Sequence, residues 1–115
     1  MLLCLTGTVS ADSKAFFGKW GTDRQCAGKL IIPGGTQKAA PFEIGKDWLG
    51  HGDVWCRLFW INTGSSQQGD YANARALCGE DDVRDYRISL ELQDNRLSLT
   101  WNQHITNDGL KRCPH

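Results

Sequence analysis

Two neighbouring segments with alternating apolar and polar residues constrain the fold of this chain most strongly. In residues 87–93, RISLELQ, isoleucine and leucine alternate with polar side chains, and residues 96–102, RLSLTWN, repeat the pattern. A period of two is typical of a β-strand with one buried and one wet face. Asp94 and Asn95 lie between the two segments and favour a tight turn. The sequence therefore predicts an antiparallel hairpin over residues 87–102.

Other parts of the chain also have the pattern of strands. Residues 54–62 and 71–78 are predicted to be strands joined by a polar loop, TGSSQQGD, and the shorter candidates are FGKWGT, KLIIP, PFEIG and GLKRC. The chain has 115 residues and 13 glycines, and no segment has a convincing helical period. One all-β domain is therefore expected, an antiparallel barrel or sandwich of seven or eight short strands. SKAFFG, residues 13–18, is predicted to hold one helical turn.

The first eleven residues, MLLCLTGTVSA, have the apolar character of a secretory signal that ends in a small-residue cleavage site. They lack the positive segment that begins such a signal, so we expect either a precursor that starts upstream or an accidental similarity. We favour the upstream start over the accident, and over a lipid-bearing Cys4, which follows a leucine rather than a small residue. The domain division is then a signal remnant over 1–11 and a single β-barrel domain over 12–115.

Removal of that segment leaves four cysteines, an even number that suits disulfides in the periplasm or outside the cell. No two of them form the close pair of a structural zinc site. Four cysteines permit three pairings, of which we expect Cys26 with Cys113 and Cys56 with Cys78. On the chain-entropy account, these two bridges stabilise the fold by at most about 4.5 and 3.5 kcal/mol.

The charge balance argues against polyanionic partners. The 13 acidic and 13 basic residues cancel, and the basic residues form no run. Nucleic acid and anionic membrane surfaces bind most strongly to proteins with clustered basic residues, so neither is an expected partner. The apolar start is also too short to span a bilayer, so no stable membrane insertion is expected.

The strand over residues 54–62 is the candidate binding element because it is apolar on both faces. One face carries Val54, Cys56, Leu58 and Trp60, and the other carries Trp55, Arg57, Phe59 and Ile61. Since a barrel strand has one face inside, the second face needs a cover, and we expect Ala15–Phe17 or a loop to supply it. The alternatives are an exposed interface patch and a ligand cleft. Trp55, Arg57, Phe59 and Trp60 are therefore the predicted partner- or ligand-binding residues.

No motif predicts catalysis, a metal or a cofactor. His51 and Asp53 lie two residues apart but have no readable third partner, so DWLGHGDVW is predicted to be a polar turn between two tryptophans. The acidic segment GEDDVRD, residues 79–85, lacks the spacing of a calcium loop and is predicted to be a solvated turn. PGGTQ lacks the lysine of a phosphate loop and is predicted to be a hairpin turn, and no nucleophile elbow is present. We therefore expect no enzyme activity.

GKW, residues 18–20, resembles the Gly-x-Trp opening of lipocalin and calycin barrels, and Arg112 is placed like the basic residue that packs over that tryptophan. From about Phe17 to Cys113 the chain also resembles small exported bacterial proteins with this opening, a Trp-Cys strand, a later CGE and a terminal Arg-Cys. The resemblance implies a lipocalin-like closed sheet in which Trp20 and Arg112 close the barrel. It implies no reaction.

The expected function is therefore binding. We expect an exported interaction module, such as an inhibitor of a hydrolase, that acts on a protein partner without a cofactor. The alternative is a carrier of a small apolar ligand in the barrel, which requires a cavity of about 300 Å³ or more. The sequence leaves the oligomeric state open.

Overall fold

The computed structural model describes residues 13–32 and 35–114, and most of its regular structure is β-strand. In chain order the elements are β1 (Gly18–Gly21), α1 (Asp23–Ala27), β2 (Lys29–Ile32), β3 (Gly35–Lys38), β4 (Phe42–Ile44), β5 (Trp48–His51), β6 (Val54–Ser66), β7 (Gly69–Cys78), β8 (Arg84–Gln93), β9 (Arg96–Trp101) and β10 (Ile105–Arg112). A 3₁₀ turn over residues 13–16 precedes β1, as predicted for this segment. The signal-like segment 1–11, with Cys4, lies outside the described residues.

Eight of the strands form a closed antiparallel barrel in the order β1-β10-β9-β8-β7-β6-β5-β4. From β4 to β10 each strand pairs with the next in the chain, and β1 closes the ring by pairing with both β4 and β10. Closure of this kind removes the exposed edges of a sheet. The predicted antiparallel barrel is confirmed, and the sandwich is excluded. β2 and β3 pair only with each other, as a separate hairpin inserted between β1 and β4.

The hairpin predicted over residues 87–102 is confirmed as β8 and β9. Leu90 lies opposite Leu99 and Leu92 opposite Leu97, which brings the apolar side chains of both strands to the barrel interior. The turn residues Asp94 and Asn95 both have positive φ, +53° and +62°. Two successive residues of this kind make the turn whose twist matches that of the flanking strands.

Two predicted loops are wrong in length. TGSSQQGD is a turn only at residues 67–68, because β6 and β7 continue pairing until Ser66 lies opposite Gly69. The Ser65 hydroxyl also donates to the Asp70 carboxylate at 2.7 Å. DWLGHGDVW is a turn only at residues 52–53, because residues 48–51 form β5. In both places backbone pairing extends the sheet beyond the apolar pattern that sequence reasoning follows.

Helix α1 was not predicted because it has only five residues and no apolar face. Its start is determined by Thr22, whose hydroxyl accepts from the backbone N–H of Gln25 while the Gln25 side chain accepts from the backbone N–H of Thr22. This reciprocal pair is a capping box, and it satisfies N–H groups that a helix otherwise leaves unpaired. The helix ends at Gly28, which has a left-handed φ of +83°.

Both expected disulfides are present. Cys26 in α1 bonds to Cys113, the residue after β10, across 87 residues of sequence, and Cys56 bonds to Cys78 across 22 residues. The second bridge joins directly opposed residues of β6 and β7. The first links the helix after the first barrel strand to the end of the last strand, and so holds together the two strands that close the ring.

The barrel interior combines very small and very large side chains. The inner face of β7 carries three buried alanines, Ala72, Ala74 and Ala76. Their small volume leaves space inside for Phe16 and Trp20, which are both completely buried. Small barrels often combine small and large inward-facing residues in this way to fill the interior.

Candidate functional site

One end of the barrel is sealed by Trp20 and Arg112. The Arg112 guanidinium lies 4.2 Å from the centre of the Trp20 ring, and its two terminal nitrogens donate to the carbonyl oxygens of Phe17 at 2.9 Å and Ala15 at 2.8 Å. The Trp20 indole N–H donates to the carbonyl oxygen of Phe16 at 3.0 Å. Strand β1, strand β10 and the 3₁₀ turn are thus fastened to one another at what we call the closed end.

The prediction that Ala15–Phe17 covers the outer face of the strand at 54–62 is wrong. Phe16 is inserted into the barrel, and the Phe16 and Phe17 rings lie 6.0 and 6.3 Å from the ring of Trp60. Trp60 is partly buried on the inner side of β6, where its indole N–H donates to the carbonyl oxygen of Lys46 at 2.8 Å. Trp60 therefore belongs to the closed end and is not part of the surface that carries Trp55.

The outward-facing side chains of β6 are exposed. This β6 outer face consists of Trp55, Arg57, Phe59 and Ile61. The three apolar side chains, Trp55, Phe59 and Ile61, are 57, 48 and 51% exposed. Arg57 is also exposed. The opposite side of the strand is buried at Cys56 and Leu58 and becomes exposed at Val54, which lines the cavity at the open end of the barrel. An exposed run of large apolar side chains is uncommon on a protein that functions alone.

Trp48 extends this apolar surface onto β5. The close approach of its indole requires glycine at position 45, because a Cβ atom there would overlap the ring. The same ring passes Gly50, the residue opposite Trp55 in the β5–β6 register. A shallow groove of about 200 Å³ lies beside Trp48 and Trp55, with Gly50 in its wall.

The other end of the barrel is open and contains a cavity of about 330 Å³. Its aromatic walls form two pairs, His51 stacked on Phe42 at 4.1 Å and Tyr86 edge-on to Trp101 at 5.8 Å. The Cys56–Cys78 bridge also lines it. We call this end the mouth. Sequence reasoning missed it because seven strands contribute side chains to it, and no local pattern connects residues so far apart in the chain.

The mouth has neutral polar groups and an apolar rim. Trp101 donates its indole N–H to the Asn107 side-chain oxygen at 3.0 Å, and no lining residue is an Asp, Glu, Lys or Arg. Val54 and Ile105 at the rim are 54 and 64% exposed. A cavity with these walls suits an uncharged ligand, since a buried unpaired charge is costly.

The residues considered for metal binding or catalysis are not assembled into a site. His51 stacks on Phe42, and no cluster of three potential metal ligands occurs within residues 13–32 and 35–114. The acidic segment after Cys78 is solvent-exposed, as predicted. Asp85 forms a salt bridge with Arg75, and this hydrogen-bonded partner lowers the pKa of the Asp85 carboxyl below its usual range.

The fold and these surfaces define a class of protein: a small closed antiparallel β-barrel with two disulfides, one sealed end, an apolar mouth and an exposed aromatic strand face. Among the helices that the structure describes, none has the length and apolar character needed to cross a bilayer. No protein-family model, no curated protein and no solved structure matches the chain. The function must therefore be argued from the surfaces themselves.

Proposed function

We propose that this chain is an exported binding module that contacts a protein partner through the β6 outer face. The observation that carries the proposal is the exposure of Trp55, Phe59 and Ile61 on one strand, each about half exposed, with Arg57 among them. Tryptophan and arginine are enriched among the residues that contribute most to binding at protein interfaces. A closed, disulfide-linked barrel also loses little entropy when it binds, because the face is held in place beforehand.

Inhibition of a hydrolase is one function that such a binding module could perform. The proposal also includes export of the protein from the cytoplasm. Two disulfides in a chain of this size favour an oxidising compartment such as the periplasm or the extracellular space. The lipocalin-like relationship is likewise proposed, on the support of the Trp20 and Arg112 arrangement at the closed end. Binding is proposed over catalysis on the support of the exposed β6 outer face, and within the described residues no group of three His, Cys, Asp or Glu side chains converges on a metal site.

The experiment compares two double variants with the wild type. Trp55→Ser/Phe59→Ser removes the centre of the β6 outer face, and Tyr71→Ser/Val83→Ser is the matched control, since these residues are 46 and 54% exposed elsewhere. Purified, disulfide-intact proteins are incubated with the exported proteins of the source cells and with a panel of secreted hydrolases. Cross-linking with mass spectrometry measures capture, and enzyme assays measure inhibition.

The face variant is expected to bind or inhibit at least about 10-fold more weakly, in a saturable one-to-one association that the control retains. Truncation of a central aromatic residue of an interface costs about 2 kcal/mol or more, which is enough for this loss. Circular dichroism melts of both variants should match the wild type. An unfolded face variant would show that these side chains support the fold, and equal association by both variants would contradict the proposal.

The mouth supports a second candidate, carriage of a small uncharged ligand. Its volume of about 330 Å³ exceeds the lower limit for a small-molecule site, about 300 Å³, and aromatic rings form its walls. Titration with the uncharged probe N-phenyl-1-naphthylamine should saturate at one molecule per chain and be unaffected by Trp55→Ser/Phe59→Ser. Failure to saturate, across this probe and a panel of neutral apolar compounds, would eliminate the carrier.

A further inference from the structure

Arg57 is surrounded by apolar side chains on the β6 outer face. The strand register places Trp48 directly beside it on β5 and Leu77 directly beside it on β7. Side chains opposed in this way have Cβ atoms about 4.5–5.5 Å apart. Trp55 and Phe59 lie two residues away along the same face, roughly 7 Å in either direction. The guanidinium therefore projects from a frame of four apolar residues.

Two pairs of charged side chains on the surrounding strands do not involve Arg57. Lys19 on β1 pairs with Glu43 on β4 at 3.3 Å, and Arg75 on β7 donates to Asp85 on β8. The Arg57 side chain forms neither a hydrogen bond nor an ion pair with any other group in the part of the chain that the structure describes. The β6 outer face therefore presents an uncompensated positive charge at its centre.

We infer that the β6 outer face recognises a carboxylate of an acidic, apolar segment on a partner protein, with Arg57 as the residue that pairs with it. This inference rests on the proposed function and names the chemistry of its partner. A guanidinium presents parallel N–H donors that match the two oxygens of an Asp or Glu side chain. The groove beside Trp48 and Trp55 gives an apolar neighbour of that carboxylate a place to bind, and Glu43 in its wall is already paired with Lys19.

The apolar frame strengthens this pairing and also makes it selective. When a partner covers Trp55 and Phe59, water leaves the surroundings of Arg57, and an ion pair is stronger where water is excluded. A partner without a carboxylate would leave the guanidinium buried and unpaired, which is costly. Discrimination therefore arises from the penalty on a wrong partner as well as from the contact with the right one.

Other occupants of the face fit its charge less well. Anionic membranes attract clusters of basic residues, whereas this face has Arg57 alone at its centre and the whole chain has no net charge. A second copy of the chain, related by a two-fold axis at Arg57, would bring two like charges together, which opposes that packing. A protein carboxylate satisfies both the charge and the apolar frame.

The test selects binders from a phage-displayed library of random 12-residue peptides on the immobilised, disulfide-intact protein. Peptides that lose binding to Trp55→Ser/Phe59→Ser are kept, and their affinities for the wild type, Arg57→Gln, Arg57→Lys and Arg87→Gln are measured by fluorescence polarisation. Arg87 is the matched control, because it is an exposed arginine on β8. The residue opposite it on β7 is Arg75, whereas the residue opposite Arg57 on β5 is Trp48. Thermal melts verify that each variant is folded.

The kept peptides should be enriched in Asp or Glu next to an apolar residue. They should bind Arg57→Gln at least about 10-fold more weakly than the wild type, with Arg57→Lys intermediate and Arg87→Gln unchanged, as expected for loss of a charged hydrogen bond. Replacement of the peptide's carboxylate by its amide should cost the same factor in the wild type and almost nothing in Arg57→Gln. That non-additivity would identify the two groups as partners.

Three results would overturn the inference. Peptides that need Trp55 and Phe59 but bind Arg57→Gln as tightly as the wild type would refute the carboxylate and leave the protein-binding function standing. If no selected peptide needs Trp55 and Phe59, both proposals fail. Arg57-dependent co-sedimentation with phosphatidylglycerol vesicles, without acidic peptides in the selection, would replace the protein partner with a membrane surface.

Discussion

The closed end and the mouth of this barrel contain similar side chains and use them differently. At the closed end Phe16 and Trp20 are completely buried, and the Trp20 indole N–H and the Arg112 guanidinium both donate to backbone carbonyls. At the mouth Tyr86 and Trp101 are only partly buried and line a cavity. Aromatic residues therefore stabilise the fold at one end and remain accessible to a ligand at the other.

The largest effect is expected from Trp20→Ala at the closed end. It removes the largest completely buried side chain and leaves a cavity, at a cost of about 3–5 kcal/mol, which approaches the total stability of many small domains. Urea unfolding followed by circular dichroism measures the loss. Trp20→Phe, which keeps most of the ring, should lose clearly less. A free energy of unfolding for Trp20→Ala close to that of the wild type would contradict the assignment of a stabilising role to the aromatic residues of the closed end.

The two disulfides provide the next comparison, because one bridges the closing strands and the other lines the mouth. Cys26→Ser/Cys113→Ser should cost about 2–4 kcal/mol and somewhat more than Cys56→Ser/Cys78→Ser, because the longer loop gains more freedom in the unfolded chain. Urea unfolding of both variants gives the two costs. Only Cys56→Ser/Cys78→Ser should also alter binding of N-phenyl-1-naphthylamine, because this bridge lines the mouth. Altered probe binding by Cys26→Ser/Cys113→Ser instead would contradict the assignment of the bridges to different ends.

A smaller effect on stability, with a larger effect on binding, is expected from Trp101→Ala at the mouth. Since this indole is only partly buried, its loss should cost about 1–2 kcal/mol, less than the loss of Trp20. The variant should nevertheless bind N-phenyl-1-naphthylamine at least several-fold more weakly, because one aromatic wall is missing. Unchanged probe binding would locate the probe elsewhere on the protein.

The smallest effect is expected from Asp85→Asn on the strand that begins at the mouth. Its pairing with Arg75 lowers the pKa of the carboxyl below the ordinary value of 3.8, so the pair stabilises the fold above that pH and is lost as the pH falls through the lowered pKa. Both side chains are about half exposed, so the contribution at pH 7 should be barely measurable and should shrink in high salt. The difference between wild type and variant should shrink as the pH falls below 3.8 and vanish once the carboxyl is protonated in the folded protein. A difference that grows in acid would contradict this sign.

Strand alternation predicted the parts of the fold in which local pattern and tertiary position agree. The β8–β9 hairpin and the two disulfides are correct, because alternation determines which face of a strand is buried and because closure of the barrel brings Cys26 and Cys113 together. The extended ends of β6 and β7 were missed because their polar residues are held by backbone pairing. The alternation in residues 54–62 also separated Cys56 and Leu58 from Trp55 and Phe59 correctly.

The candidate site was predicted only in part, because a docked segment and a cavity leave no periodic signal in a sequence. Phe16 and Phe17 were expected over the outer face of β6. Instead Phe16 is buried in the barrel and the half-buried Phe17 packs against Trp60, so the outer face lacks the cover assigned to it. Arg57 is also unpaired because Glu43 forms its salt bridge with Lys19 and Asp85 forms its salt bridge with Arg75. These pairs can be identified only once the sheet register is known.

The bond between Cys26 and Cys113 has a consequence for proteolysis. It makes the chain between these residues a covalent ring, and Cys56–Cys78 divides that ring into two. A protease that cuts once in the exposed segment 79–83 opens one ring but releases no fragment. The nicked molecule keeps all its pieces on one covalent framework until a reductant breaks the bridges, so a barrel cut in an oxidising compartment remains a single particle.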